Sequence, residues 1–109
     1  ADAKWLQEVE STVLKNLSNT GFTVEELAGH LNLSRRQLTR RLKNLTGLTP
    51  AAYVKEARLF KARQLLENHK YRTIREVSYA VGFSTVTYFS QQFQERFGKL
   101  PSGYLERLS

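Results

Sequence analysis

The chain carries the same pattern twice, and this limits its possible folds more than any other feature. Thr23-Val24-Glu25-Glu26-Leu27-Ala28, followed by Asn32-Leu33-Ser34, returns as Thr73-Ile74-Arg75-Glu76-Val77-Ser78 followed by Gly82-Phe83-Ser84. Leu38 and Leu42 are matched by Phe89 and Phe93, and Gly47, Pro50 and Tyr53 by Gly98, Pro101 and Tyr104. The offset is 50 residues up to Ser34/Ser84 and 51 beyond it, so the second copy holds one extra residue. Such a repeat is one supersecondary unit used twice.

Both copies read as helix. No stretch alternates apolar and polar residues as a strand would, and the expected fold is all-α with seven helices. The first helix is predicted from about Ala3 to Leu17, with Trp5, Leu6, Val9, Val13, Leu14 and Leu17 on one apolar stripe. Ser18-Asn19-Thr20-Gly21 reads as a loop. Thr23 and Glu26 form the capping box of a second helix, with Phe22 and Leu27 placed for a hydrophobic staple. Ser34 and Gln37 do the same for a third, with Leu33 and Leu38, and Gly47 is its left-handed cap. Thr49-Pro50 opens a long fourth helix that stops near Asn68, with Pro at the first helical position. Its apolar surface is Tyr53, Val54, Ala57, Phe60, Ala62, Leu65 and Leu66. Thr73 and Glu76 cap a fifth helix, whose apolar positions are Ile74, Val77, Ala80 and Val81. A sixth starts near Ser84 or Thr85, carries Phe89, Phe93 and Phe97, and ends at Gly98. A seventh starts at Pro101 and buries Tyr104, Leu105 and Leu108.

The second and third helices meet at a turn centred on Asn32, the fifth and sixth at a turn centred on Gly82. A sharp turn between helices often needs one residue at positive φ. Gly adopts it freely, and Asn is among the few others that tolerate it. Finding those two residues at the matching place points to two helix-turn-helix units. The expected organisation is a first unit over 1–48 (recognition helix about 34–46), a linker helix over 49–68, and a second unit over 69–109 (recognition helix about 85–97). A linker of 18 to 20 residues spans roughly 27–30 Å at the usual helical rise. Successive major grooves on one face of DNA lie about 34 Å apart, so the expectation is two recognition helices in adjacent major grooves.

The charge supports a polyanionic partner. The net charge is +7, yet residues 34–63 alone hold nine basic residues against Glu56, a net +8, while the rest of the chain is −1. Five of those basic residues fall within 35–43. A focused basic patch attracts nucleic acid, whereas a merely solvated face usually interleaves acids.

Other chemistries find little footing. Nothing resembles a Gly-rich phosphate loop or a nucleophile paired with a base, so no catalytic residue and no enzyme activity are expected. His30 and His69 are isolated, which makes a metal site improbable, and no cofactor is expected. Glu26 and Glu76 are capping residues before they are a catalytic pair. No run of eighteen apolar residues provides a membrane span, and no leader peptide is expected. The absence of Cys fits a reducing cytoplasm. The abrupt start at Ala1-Asp2-Ala3 fits a domain cut from a longer protein.

The second copy carries a more specific pattern: Ile74-Arg75-Glu76-Val77-Ser78-Tyr79-Ala80-Val81-Gly82-Phe83, then Tyr88-Phe89-Ser90, Phe93, Phe97-Gly98 and Pro101-Ser102-Gly103-Tyr104. Together with Arg58-Leu59, Ala62 and Leu65-Leu66 on the linker, it resembles the C-terminal DNA-binding domain of AraC/XylS-type bacterial transcriptional regulators. The resemblance implies the output domain of a transcription factor, an activator, that binds double-stranded promoter DNA and contacts RNA polymerase. It further implies a cytoplasmic protein, nucleoid-associated when bound, whose sensory or effector domain lies elsewhere in a longer parent.

The resemblance also implies which positions face the bases: Arg35, Arg36, Thr39 and Arg40 on the first recognition helix, and Thr85, Val86, Thr87 and Gln91 on the second. Arg suits guanine, Gln suits adenine, and Val or Thr suits a thymine methyl. Arg36 and Arg40 are four apart, off the Leu38/Leu42/Leu45 stripe, and each has a phosphate contact as its alternative role. Expected phosphate contacts are Ser34, Arg41, Lys43, Ser84 and Ser90. Trp5, Phe89, Phe93 and Phe97 read as core, Tyr53 and Tyr104 as locks on the helices they begin, and Arg58 as structural. The second recognition helix is poor in base-reading types, which leaves a second reading open: a helical protein-interaction module that has lost specific DNA readout.

Overall fold

Capping residues set where the helices begin. The computed structural model describes residues 1–105, and among them it contains seven helices and no strand. These are α1 (Asp2–Lys15), α2 (Val24–His30), α3 (Arg35–Thr46), α4 (Pro50–Glu67), α5 (Ile74–Ala80), α6 (Val86–Phe97) and α7 (Ser102–Leu105). The predicted capping boxes form at all three sites. In α2 the Glu26 amide donates to Thr23 Oγ1 at 3.1 Å while the Thr23 amide donates to Glu26 Oε1 at 3.2 Å. Ser34/Gln37 and Thr73/Glu76 repeat that exchange for α3 and α5. Thr49 caps α4, its hydroxyl accepting from the Ala52 amide at 3.2 Å.

The two sharp turns are built alike. Asn32 has φ of 59° and Gly82 φ of 91°. Leu33 donates its amide to the Ala28 carbonyl at 2.9 Å and Asn32 to Gly29 at 3.1 Å; Phe83 donates to Ser78 at 2.9 Å and Gly82 to Tyr79 at 3.1 Å. These pairs define Schellman motifs, which satisfy the last carbonyls of one helix while redirecting the chain. A side chain at such a φ costs about 1–2 kcal/mol, and this restricts the position to Gly and the few residues like Asn.

The chain divides into two compact units: Ala1–Leu17 with Gly21–Ala57, and Ser18–Thr20 with the residues from Arg58 onward. In the first, Trp5, Val9, Val13 and Leu17 pack inward, together with Leu27 and Ala28 of α2, Leu38 and Leu42 of α3 and Val54 of α4. In the second, Leu59, Ala62 and Leu66 of α4 are buried, as are Val77, Val81, Phe83, Phe89 and Phe93. The Phe93 ring lies 5.6 Å from Phe89, 4.8 Å from Phe97 and 5.5 Å from Tyr104, centroid to centroid. Buried Ser78 is satisfied by donating to the Arg75 carbonyl.

Several placements differ from the sequence expectation. α1 ends at Lys15 rather than Leu17, although Leu17 stays buried beyond it. Leu14 is 45% exposed and Phe60 41% exposed. Each is apolar by type, but its helix turns it toward solvent. Tyr104 and Leu105 are half-buried rather than buried. Leu108 lies outside the described residues.

Candidate nucleic-acid interface

α3 displays cations because its core stripe takes the opposite side. Successive residues turn by 100°, so burying Leu38 and Leu42 aims Arg36, Arg40, Lys43 and Asn44 outward, and all four are exposed. Arg36, Arg40 and Lys43 form no salt bridge or ring contact among the described residues. Three unneutralised charges on one helical face form an anion-attracting surface.

The remaining predicted positions of α3 are more engaged. Arg35 is exposed and pairs with Glu25, its Nη1 lying 3.0 and 3.3 Å from the two carboxylate oxygens. An exposed pair of this kind is worth about 0–1 kcal/mol, so Arg35 can exchange Glu25 for another anion at low cost. Thr39 is half-buried and donates its hydroxyl to the Arg35 carbonyl at 2.9 Å, which leaves its methyl and lone pairs for other contacts. Ser34 Oγ accepts from the Gln37 amide as the helix cap. Arg41 is held differently: its guanidinium lies 4.2 Å over the Trp5 ring and its Nη2 is 3.4 Å from Asp2 Oδ1. It joins α3 to α1, a structural task not visible in its position on the helix.

α6 offers another chemistry. Thr85 caps it, accepting from the Tyr88 amide at 3.2 Å. Phe89 and Phe93 face inward, and Thr87, Tyr88, Gln91, Gln94 and Glu95 are exposed. Val86 and Ser90 are half-buried beside the core stripe, and Ser84 is exposed just before the cap. Arg96 is exposed as well, in the last turn, but its guanidinium lies against the rings of Phe60 and Phe97, at 5.2 and 5.1 Å, on the Phe89/Phe93 side of the helix rather than beside Thr87, Gln91 and Gln94. The outward face of α6 therefore carries no cation and one acid.

Asn44, Tyr88 and Gln94 belong to these faces and were not among the expected site residues. The 51-residue offset aligns Lys43 with Gln94, which carrying the alignment past Gln91 would have found; it sets Tyr88 against the capping residue Gln37 and Asn44 against Glu95, so neither of these stands out by alignment.

Two shifted groups lie away from these faces. Arg58 is half-buried, and burial lowers its pKa, yet a guanidinium stays charged in proteins. It donates through Nη2 to the Asn19 carbonyl at 3.0 Å, while its Nε is buried without a partner among the described residues. That bond ties the Ser18–Thr20 segment to α4. Burial raises the Tyr53 hydroxyl, and Glu10 raises it further. Among the described residues no three His, Cys, Asp or Glu side chains gather as a metal site, and no helix is long and apolar enough to cross a membrane.

Residues 27–107 match a family described as a helix-turn-helix domain. The chain is 38% identical over 108 residues to Histidine kinase P4 of Formosa agariphila, covering 99% of this chain and 8% of that protein. It is 40% identical over 77 residues to the HTH-type transcriptional activator RhaS of Klebsiella pneumoniae, covering 71% of this chain and 27% of that one. It therefore spans a small part of the length of these relatives. The crystal structure of the DNA-binding domain of AdpA, in complex with a target DNA, superimposes with a TM-score of 0.82 at 32% identity, covering 94% of this chain and 90% of that one. With two capped helix pairs, two Schellman turns and these matches, the chain belongs to the AraC/XylS-type family of helix-turn-helix DNA-binding domains.

Proposed function

We propose that this chain is the output domain of a transcription activator and binds promoter DNA sequence-specifically, α3 and α6 each entering a major groove. The observation that carries the reading is the outward face of α3. Arg36 and Arg40 stand exposed, without an ion pair among the described residues, on a helix whose start is fixed by a capping box and a Schellman turn. Recognition helices of this motif read base edges from their N-terminal residues, and Arg there suits guanine. Arg35, Thr39, Thr85, Val86, Thr87 and Gln91 complete the proposed base contacts. Ser34, Lys43, Ser84 and Ser90 are the proposed phosphate contacts, and Arg41 joins them only by leaving Trp5 and Asp2.

The relatives extend the proposal to the parent protein. One is named a transcriptional activator and another a histidine kinase, and both are much longer than this chain. A sensory or effector domain in the same polypeptide, contact with RNA polymerase, and a cytoplasmic, nucleoid-associated location follow as parts of the proposal.

A protein-interaction role is the second reading, favoured by one observation: the outward face of α6 has no cation. A salt titration separates the two. Each phosphate neutralised by a basic side chain contributes about −0.9 to the slope of log K against log salt. The expected result is a steep loss of duplex affinity between about 50 and 200 mM salt. Absent or salt-independent duplex binding at low salt would favour the interaction module.

A further inference from the structure

α2, α3 and α5 begin with a reciprocal capping box, and α6 breaks that pattern at one residue. In α3, Gln37 returns the bond of its cap, its Oε1 accepting from the Ser34 amide at 2.9 Å. In α6 the same third position holds Tyr88. Thr85 still accepts from the Tyr88 amide at 3.2 Å, but among the described residues no side chain returns a bond to the Thr85 amide. Half of the cap has been given up for an aromatic residue.

That residue is neither buried nor free. Tyr88 is 50% exposed, and its ring packs 6.0 Å from the ring of Phe83 at 54°, while Phe83 itself is 5% exposed. Phe83 follows Gly82, whose positive φ fixes the turn. One side of the Tyr88 ring thus rests on a rigid support and the rest is open. Tyr88 lies next to Thr87 and three residues before Gln91, so the three share one outward patch in the first turns of α6. It is the largest apolar group on a face with no cation.

Resting on the reading of α6 as a groove-entering helix, we propose that Tyr88 is the principal sequence-reading residue of the second unit, its ring contacting the 5-methyl group of a thymine. An aromatic ring held by the turn needs little ordering on binding, and thymine presents the only methyl in the major groove. This gives the cation-free outward face a means of discrimination that does not depend on charge.

The test uses the chain with a duplex that it selects from a random pool. Each dT in the part of the site under α6 is replaced in turn by dU, which lacks the methyl. Two variants are compared, Tyr88→Phe and Tyr88→Gln, the latter restoring the capping-box residue so that α6 should remain folded. At one position the methyl-free duplex should bind wild type and Tyr88→Phe about four-fold more weakly, the value of one buried methyl-sized group. Tyr88→Gln should show no such penalty there, with a melting temperature at or above that of wild type. A penalty that persists in Tyr88→Gln at every position, or its absence from wild type at all of them, would overturn the proposal while leaving DNA binding intact. Failure of wild type to enrich any duplex would instead overturn the functional reading on which the proposal rests.

Discussion

An Arg40→Ala variant is expected to bind its specific duplex about 1–3 kcal/mol more weakly than wild type, roughly a five- to 150-fold loss, and to accept changes at one base pair that wild type rejects. Arg40 lies four residues after Arg36 on the side of α3 opposite Leu38 and Leu42, exposed and without an ion pair among the described residues. Removing it breaks no ion pair or ring contact among the described residues, so the melting temperature should stay within the small range usual for surface substitutions. Binding titrations on the specific duplex and on single-base variants, with a melting curve beside them, measure all three quantities. Unchanged affinity together with unchanged sequence preference would remove Arg40 from the site. Selectivity distinguishes a base contact from a phosphate contact: loss of a phosphate contact weakens every sequence about equally.

A Phe93→Ala variant should lose about 3–5 kcal/mol of stability, the usual cost of truncating a buried phenylalanine. Phe93 is fully buried, and its ring meets Phe89, Phe97 and Tyr104. It therefore anchors α6 inside the second unit and touches α7 as well. Domains of ordinary stability hold about 5–15 kcal/mol in total, so the variant should be partly or wholly unfolded in that unit at physiological temperature. Denaturant unfolding followed by circular dichroism is the measurement. Phe93→Leu, which keeps most of the volume, should cost much less. A loss below about 1 kcal/mol for Phe93→Ala would mean that the aromatic stack is not the core of the unit.

Local rules made much of this fold readable from the amino-acid order. Capping boxes at Thr23, Ser34 and Thr73 involve residues three apart, and the Asn32 and Gly82 turns depend on backbone conformations that few residues adopt. The same holds for Arg36 and Arg40, whose outward aim follows once Leu38 and Leu42 face inward. What escaped the sequence depends on contacts across the fold. Arg41 lies 39 residues from Asp2, and Arg35 lies ten from Glu25. Neither partnership has a local signature, so the sequence sets Arg35 beside Arg36 and Arg40 as a base contact and Arg41 among the phosphate contacts. Arg96 was a basic residue late in α6 by sequence, and packing placed it against Phe60 and Phe97. Leu14 and Phe60 matched an apolar pattern but reached solvent, because a 3.6-residue period drifts across a stripe drawn from every apolar residue. Tyr88 was legible in principle, since Thr85-Val86-Thr87-Tyr88 replaces the capping sequence Ser34-Arg35-Arg36-Gln37.

The scaffold is thus duplicated while its outward faces differ: cations on α3, and Thr, Tyr and Gln on α6. Selecting bound duplexes from a random pool tests this account most directly. A two-part site should emerge, with the part under α3 strongly constrained and rich in guanine, and the part under α6 tolerating more substitutions. No enriched sequence, or a single constrained part lying under α6, would contradict it.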